Sequence, residues 1–277
     1  MILILILSVL IGISLGLLGG GGSVLAVPML TYAAGLSPKE AIATSLLVIG
    51  VTALGSLIQH ARRGNVEWKT GFTFALTAMI GAYGGGRIAQ AFDGKTLLLL
   101  FVAMMATTAV AMFRGPSRPE TRRTGVTSPT LVIIEGLVVG SATGLVGAGG
   151  GFLVVPALVL LGGMPMHRAI GTSLFVIVLK SFSAFAGHTA HVTIDVELAA
   201  SVSLSALGGS ILGTRLAASA SPERLRRTFS VFVMGMALYI LAREVRIEAA
   251  LTLAIIFVLL TWTLSRRSQA PSVVGPH

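Results

Sequence analysis

Two runs of glycine are the residues best suited to binding a ligand through the backbone. A pattern G-x3-G-x2-G-G-G-G-x5-P extends from Gly12 to Pro28, and a near copy extends from Gly140 to Pro156. Because glycine destabilises a helix by about 1 kcal/mol relative to alanine, such a run predicts a helix break. The half-helix after a break presents amide donors and a partial positive charge, which attract anions. The predicted anion contacts are Gly19, Gly20, Gly21, Gly22, Gly147, Gly149, Gly150 and Gly151.

The alternative for the glycine runs is close packing of helices through small residues. Such packing is common in membrane bundles, and it fits Gly12 and Gly16. A nucleotide phosphate loop is excluded, because no G-K-[ST] follows either run and neither run lies in a strand–helix pattern.

Two Thr-Ser pairs could supply side-chain hydrogen bonds to the same ligand. Thr44 and Ser45, like Thr172 and Ser173, lie in a block of the form A-I-[AG]-T-S-L within a predicted helix. Hydroxyls in helices often donate to a carbonyl oxygen of the preceding turn, and that interpretation stays open. All four residues are candidate substrate contacts.

Lys180 is a charged residue inside an apolar stretch, between Leu179 and Phe182. A charge near the middle of a bilayer costs about 3 kcal/mol or more and usually faces a cavity. Lys180 is therefore a candidate for attracting an anion. The alternative is a lysine that reaches water or the carboxyl end of a helix.

Two histidines and two arginines lie near the ends of predicted helices. His60 and His188 are candidates for a proton relay, the alternative being polar residues at the membrane interface. Arg87 and Arg215 are interpreted as side chains that snorkel to the interface.

No catalytic array or metal site is recognisable. The motifs H-E-x-x-H and G-x-S-x-G are absent, and so are paired buried carboxylates. The chain has no cysteine, which excludes disulfides, thiol catalysis and thiolate metal sites. We therefore predict no catalytic residue, no metal and no cofactor, and we do not expect an enzyme. The acids taken to lie in loops or at helix ends are Glu67, Glu120, Asp195, Glu197 and Glu223.

The composition is typical of a membrane protein. Of the 277 residues, 54% are hydrophobic and 11% are charged, and the mean hydropathy is +0.92, whereas soluble domains carry about 25% charged residues. Apolar stretches of about 20 residues are long enough to cross a bilayer. The formal charge of +10 comes from short basic clusters without interleaved aromatic residues, which argues against a nucleic-acid partner. The chain is predicted to be an all-α, multi-pass protein of the lipid bilayer.

The chain aligns with itself at a constant shift of 128 residues, without a gap. Gly12, Gly16 and Gly19 fall on Gly140, Gly144 and Gly147. The hydroxyl blocks coincide as well, as do His60 and His188. We interpret this as an internal duplication.

The duplication predicts the organisation of a single membrane domain over residues 1–265. Repeat one covers 3–113, a polar linker covers 114–128, and repeat two covers 131–241. An extra helix is predicted at 247–264, and 266–277 is a polar tail. Each repeat contains a long glycine-broken segment and three helices, giving seven to eight membrane helices in all. The segments are predicted at 3–34 and 131–162, and the helices at 39–61, 70–91, 96–113, 167–189, 196–218 and 224–242.

The basic loops decide the predicted topology. If each glycine segment enters and leaves on one face, the repeats are inverted and every large basic cluster lies in the cytoplasm. If the segments span fully, the repeats are parallel and residues 224–227 lie outside. The positive-inside rule favours inverted repeats. The clusters are Arg62, Arg63 and Lys69; Arg114, Arg118, Arg122 and Arg123; Arg224, Arg226 and Arg227; and Arg266 and Arg267.

The paired G-x3-G-x2-G-x-G-G-x5-P-x-L elements, each followed by an A-I-[AG]-T-S-L block, resemble the sulfite exporter TauE/SafE family of membrane permeases. The resemblance covers about residues 3 to 264. It implies a transporter of seven or eight helices whose two glycine-rich elements frame the substrate. It also implies sulfite, sulfoacetate, thiosulfate or a related organosulfonate as that substrate. Departures between the two elements are Gly20 against Ala148, Ser23 against Gly151, and the unpaired Lys180.

The sequence therefore predicts a secondary transporter of a small sulfur-containing anion that works by alternating access. The alternative is a membrane-embedded enzyme or a maturation factor without transport. The expected location is a bacterial inner membrane, and assembly into a homo-oligomer is compatible with the sequence.

Overall fold

The structure is a computed structural model that describes residues 2–89, 91–92, 94–115, 129–146, 151–188 and 194–244. Every regular element within those ranges is a helix. The helices are α1 Ile2–Leu18, α2 Ser23–Tyr32, α3 Pro38–Arg62, α4 Trp68–Ala89, α5 Gly94–Arg114, α6 Pro129–Val146, α7 Gly151–Pro156, α8 Met166–His188, α9 Val196–Ser219 and α10 Pro222–Glu244. A π-helical turn, Ala157–Leu161, follows α7 directly.

The six uninterrupted helices begin and end within two residues of their predicted bounds. Most of the linker, the extra helix at 247–264, the tail at 266–277 and the predicted contacts Gly147, Gly149 and Gly150 lie outside the described residues.

Local signals explain where the helices begin and end. Ser37 and Glu40 form a capping box at the start of α3, and Pro38 occupies the first turn. The Asp195 side chain accepts a hydrogen bond from the Leu198 amide and caps α9. Gly64, with a φ of 70°, follows the end of α3, where a left-handed residue is favoured.

The outer surface of the bundle is apolar and part of its interior is polar. Ile80 is 67% exposed and Leu204 is 69% exposed, whereas Thr52, Ser210 and Thr214 are fully buried. Five helices within the described ranges are long and apolar enough to cross a bilayer. They are Glu40–Arg62, Thr96–Arg114, Met166–Ala186, Val196–Ser219 and Pro222–Ala242.

The first glycine segment is a helical hairpin. Gly19 has a φ of 74° at the end of α1, and a Cβ added at Gly22 would lie 2.6 Å from the carbonyl oxygen of Ile11. Ser8 Oγ lies 3.9 Å from Met29 Sδ. The chain therefore reverses after Leu18, and α2 runs back along α1.

Two pairs of helices, each with one helix from either half of the chain, pack antiparallel. Helix α3 lies antiparallel to α8, since Gly50 approaches Phe182 while Gly171 approaches His60. Helix α5 lies antiparallel to α10, where Ser230 Oγ donates to the Ala109 carbonyl oxygen at 2.6 Å.

Glycines allow two further helix pairs to pack backbone against backbone. Gly12 lies on Ala206 and brings α1 against α9, and Gly140 lies on Ala78 and brings α6 against α4. The partners of one contact stand 128 positions from those of the other. A Cβ at either glycine would overlap the facing backbone, so only small residues permit this approach.

Most arginines of the described residues lie at one end of the bundle, which we call the basic end. It is the end where α3, α5 and α9 finish and where α4, α8 and α10 begin. Arg63 Nη1 donates to the Thr214 carbonyl oxygen at 3.1 Å, and Arg226 lies against Gly115. The basic end carries Arg62, Arg63, Lys69, Arg114, Arg168, Arg215, Arg224, Arg226 and Arg227. The other end, where α3 and α9 begin, is the opposite end.

Candidate functional site

The break between α1 and α2 buries backbone donors that have no acceptor among the described residues. Gly19 to Gly22 are all buried. The amides of Gly20, Gly21 and Gly22 donate no hydrogen bond to the part of the chain that the structure describes. A buried amide without an acceptor is costly, so these donors require an acceptor from outside the described residues, such as water or a ligand.

The two glycine segments meet at this break. A Cβ at Gly20 would overlap the backbone of Gly151, and one at Gly151 would lie 2.8 Å from Ser23 Oγ. Ser23 Oγ donates to the Gly20 carbonyl oxygen at 2.7 Å, which stiffens the turn into α2. Gly20 is thus brought to Gly151, whereas Gly21 lies against Phe232 of α10 and Gly22 lies against Ile11 and Leu15 of α1.

One face of α8 runs past the meeting point. A Cβ at Gly19 would lie 2.5 Å from Ser173 Oγ, and one at Gly151 would lie 3.2 Å from Ile177 Cδ1. Lys180 follows Ile177 by three residues and so lies on the same face, one turn further along. Its side chain is half-buried. Lys180 therefore lies one helical turn beyond the residue that contacts Gly151.

Each of three predicted hydroxyls has a hydrogen bond within the protein. Ser45 Oγ donates to the Ile42 carbonyl oxygen at 2.7 Å, and Ser173 Oγ donates to the Ile170 carbonyl oxygen at 2.8 Å. Thr172 Oγ1 accepts from the Glu67 amide at 3.0 Å, which directs it to the basic end. Thr44 is buried at 1% exposure. Of the four, only Ser173 is seen to touch a described glycine of the break.

His60 lies in a buried polar cluster near the basic end. It is 1% exposed, and neither ring nitrogen has a hydrogen-bond partner within the described ranges. The ring lies beside the backbone of Gly16, where Thr214 Oγ1 would be 3.0 Å from an added Cβ. Ser56, one turn before His60, also has a buried hydroxyl without a partner there. His188 ends α8, and its side chain lies outside the described part.

Arg87, near the end of α4, contacts Tyr83 of the preceding turn. Its Nη2 donates to the Tyr83 hydroxyl at 2.8 Å, and its guanidinium carbon lies 5.3 Å from the centroid of the Tyr83 ring. The aromatic and the charge form an anchor of the kind found at membrane interfaces. Arg215 is exposed.

Glu135 is a residue that the sequence reasoning missed. It lies inside α6 and is 3% exposed, although the acids of this chain were expected in loops or at helix ends. The signal was present, because Glu135 is the single charged residue between 129 and 146. A buried carboxyl in a membrane helix is a candidate functional group.

A cavity of about 430 Å³ lies at the opposite end of the bundle, away from the glycine break. Leu47 and Val51 of α3, Phe185 of α8, and Val196 and Ala199 of α9 belong to its lining. The lining is almost wholly apolar, so it does not suit a bound anion.

No group of three or more His, Asp or Glu side chains converges on a common point within the described ranges. Those ranges therefore offer no candidate metal centre.

A family model supports the membrane-transport interpretation. Residues 4–240 match the model described as Sulfite exporter TauE/SafE. No solved structure matches the chain significantly.

Curated relatives carry the same kind of name. A probable membrane transporter protein of Xylella fastidiosa (strain Temecula1) is 38% identical over 241 residues, covering 85% of this chain and 92% of the relative. The probable membrane transporter protein MJ0441 of Methanocaldococcus jannaschii is 27% identical, covering 86% and 94%. YunE of Bacillus subtilis, also named a probable membrane transporter protein, is 28% identical, covering 68% and 77%.

Proposed function

Because this chain belongs to the sulfite exporter TauE/SafE family and is a membrane transporter, we propose that it moves a small sulfur-containing anion across the membrane. Sulfite, sulfoacetate, thiosulfate and related organosulfonates are the substrates we propose. Each of them offers oxygens that accept hydrogen bonds and carries negative charge.

The observation that carries this proposal is the buried break at Gly20, Gly21 and Gly22. Its amides have no acceptor within the described residues. The break opens directly into the amino end of the ten-residue helix α2. Amide donors and a helix dipole together favour an oxyanion. Gly147, Gly149 and Gly150 would complete the site from the second segment.

Side chains of α3 and α8 would add selectivity to this site. Lys180, one turn from the residue that contacts Gly151, would attract the negative charge. Ser173 lies against Gly19 and could exchange its bond to the helix for one to the substrate. We retain Thr44, Ser45 and Thr172 as further contacts, which would require Thr172 to release the Glu67 amide.

We also propose that the two halves are inverted repeats, at 3–113 and 131–241. The antiparallel packing of α3 on α8 and of α5 on α10 supports inversion, because parallel repeats would place equivalent helices parallel. Ser23 and Gly151 are equivalent by the 128-residue shift and touch each other. A two-fold axis would pass between them, halfway between the two ends of the bundle. In alternating access, each repeat would then adopt the conformation that the other repeat had before, so that the site opens to the two ends in turn.

We propose that the protein lies in the inner membrane of a bacterial cell. Its basic end would face the cytoplasm. Arginines and lysines accumulate in cytoplasmic loops. His60 is the proposed proton carrier for coupling, with His188 as its equivalent. A membrane-embedded enzyme or maturation factor is the alternative, and no specific observation favours it.

Ligand-induced stabilisation tests the proposed site without requiring flux. Sulfite, sulfoacetate and thiosulfate are each added to the purified protein in detergent, and the melting temperature is followed. An anion that binds the folded state raises the melting temperature as its concentration rises. We expect at least one of the three to do so, and chloride at equal ionic strength serves as the control. No rise with any of them would contradict the substrate class.

A further inference from the structure

An ion pair joins the two halves of the chain at the basic end. Arg168 Nη1 at the start of α8 lies 2.7 Å from Glu67 Oε1, in the loop between α3 and α4. The backbone of the same acid is held as well, because Thr172 Oγ1 accepts from the Glu67 amide at 3.0 Å. The start of α4 is thus fastened to the start of α8.

Aromatic packing closes the same place. The rings of Trp68 and Phe175 meet edge to face, with centroids 5.0 Å apart. Gly71, one turn after Trp68, lies close enough to Phe175 that a Cβ there would lie 2.8 Å from Phe175 Cδ1. The first turn of α4 therefore lies directly on α8, without a gap between them.

The equivalent residues at the opposite end make neither contact. A shift of 128 residues converts Glu67 into Asp195, and it relates Arg168 to Glu40. Two carboxylates cannot attract each other. Each is bonded to its own helix instead, Asp195 Oδ1 to the Leu198 amide at 3.0 Å and Glu40 Oε2 to Ser37 Oγ at 2.7 Å.

The residues equivalent to Trp68 and Phe175 do not pack against each other at the opposite end. The equivalents of Trp68 and Phe175 are Val196 and Leu47, and both line the cavity of about 430 Å³. The same structural position is therefore packed at one end and hollow at the other.

We propose that Glu67, Arg168, Trp68 and Phe175 form a closed gate at the basic end, and that the equivalent residues at the opposite end, which make neither contact, form the looser gate. This inference rests on the proposed inverted repeats and on alternating access. Among the described residues, the ion pair between Glu67 and Arg168, which we call the latch, is at the basic end, and the equivalent Asp195 and Glu40 form none. The resting population therefore favours a closed gate at the basic end.

The strength of the latch suits a gate that must open in every cycle. The side chains of Arg168 and Glu67 are 53% and 42% exposed. Ion pairs at such exposure change an equilibrium constant by roughly two- to fivefold. The aromatic contact would add to this without making the closed state permanent.

Paired cysteine reporters test the gate, and the absence of native cysteine leaves no background. Ser203→Cys places a thiol in the lining of the cavity at the opposite end, where the side chain is 7% exposed. Ala75→Cys places one at the equivalent position near the basic end, where the side chain is fully buried. Labelling by a charged thiol reagent is measured on purified protein in nanodiscs, which leave both ends accessible, without substrate. We expect faster labelling at 203 than at 75.

Removing the ion pair between Glu67 and Arg168 should change the labelling rates of the two cysteines in opposite directions. Glu67→Gln or Arg168→Gln should raise labelling at 75 about two- to fivefold and lower it at 203. The charge swap Glu67→Arg with Arg168→Glu should restore both rates, which separates a lost ion pair from a misfolded variant. Glu197→Gln, an exposed acid at the opposite end, should change neither rate.

Unchanged rates in both single variants, or a charge swap that fails to restore them, would overturn the gate. Since no substrate is present, a protein that carries none of the proposed anions would still show the redistribution. A protein that transports the proposed anions but shows no change in the labelling rates would contradict the gate and leave the proposed function intact.

Discussion

Ser23 of α2 lies against Gly151 of α7, and the two residues stand 128 positions apart. A Cβ at Gly151 would lie 2.8 Å from Ser23 Oγ, so the second segment needs glycine where the first has serine. This departure between the two glycine elements has a physical reason. Two serines would compete for the space where the segments meet. The contact links the duplication to the proposed site.

Adjacent glycines of α9 provide a matched test of the helix packing. Gly209→Ala should lower the unfolding free energy by about 1–3 kcal/mol, because the new methyl group overlaps the Val9 carbonyl. Gly208→Ala should be neutral or stabilising by up to about 1 kcal/mol, since nothing lies within 4 Å. Thermal unfolding in detergent measures both. Equal effects would show that α1 does not pack on this face of α9.

Lys180 should govern anion affinity. Losing a hydrogen bond to a charged group costs about 1.5–3 kcal/mol, so Lys180→Ala should weaken binding roughly 10- to 150-fold. Lys69→Ala removes an exposed lysine at the basic end and should leave binding nearly unchanged. Isothermal titration with the anion that stabilises the protein distinguishes them. Unaltered anion affinity in Lys180→Ala would show that Lys180 does not bind the anion. It would not contradict the proposal that the glycine break binds it.

His60 should couple transport to the proton gradient. Its imidazole is buried without a hydrogen-bond partner in the described residues, near the charged Arg63 and the titratable His167. We expect His60→Gln to transport anion equally well with and without a pH gradient, because glutamine cannot carry a proton. His167→Gln, half-buried at the start of α8, should retain the response. A His60→Gln variant that still responds fully would exclude His60 as the carrier.

The inverted arrangement predicts the side on which α10 begins. Single cysteines at Arg224 and at Arg114 should both react only from the cytoplasmic side of intact cells, since both residues lie at the basic end. A membrane-impermeant thiol reagent applied before and after permeabilisation measures this. Labelling of residue 224 from outside, with residue 114 labelled only from inside, would contradict the proposed inverted topology.

Strong local signals made the helices predictable. The uninterrupted helices match within two residues because proline, serine and glycine mark their ends. The break was located correctly for the first segment, where α1 ends at Leu18 and α2 begins at Ser23. Four consecutive glycines strongly disfavour a continuous helix, so a break at that place was predictable.

Contacts between the halves could not be read from one sequence. Arg168 and Glu67 are 101 residues apart, and nothing local indicates that they meet. The same applies to Thr172, whose hydroxyl holds the Glu67 amide. Glu135 is a different case, because this acid lies in an apolar stretch inside α6 and not in a loop or at a helix end.

Flux into proteoliposomes tests the central proposal most directly. The purified protein is reconstituted, and uptake of labelled sulfite, sulfoacetate and thiosulfate is followed with and without a pH gradient. We predict saturable uptake of at least one anion above that of protein-free vesicles, reduced when unlabelled competitor is added. No uptake of any of the three, from a preparation that also binds none of them, would contradict the proposed function.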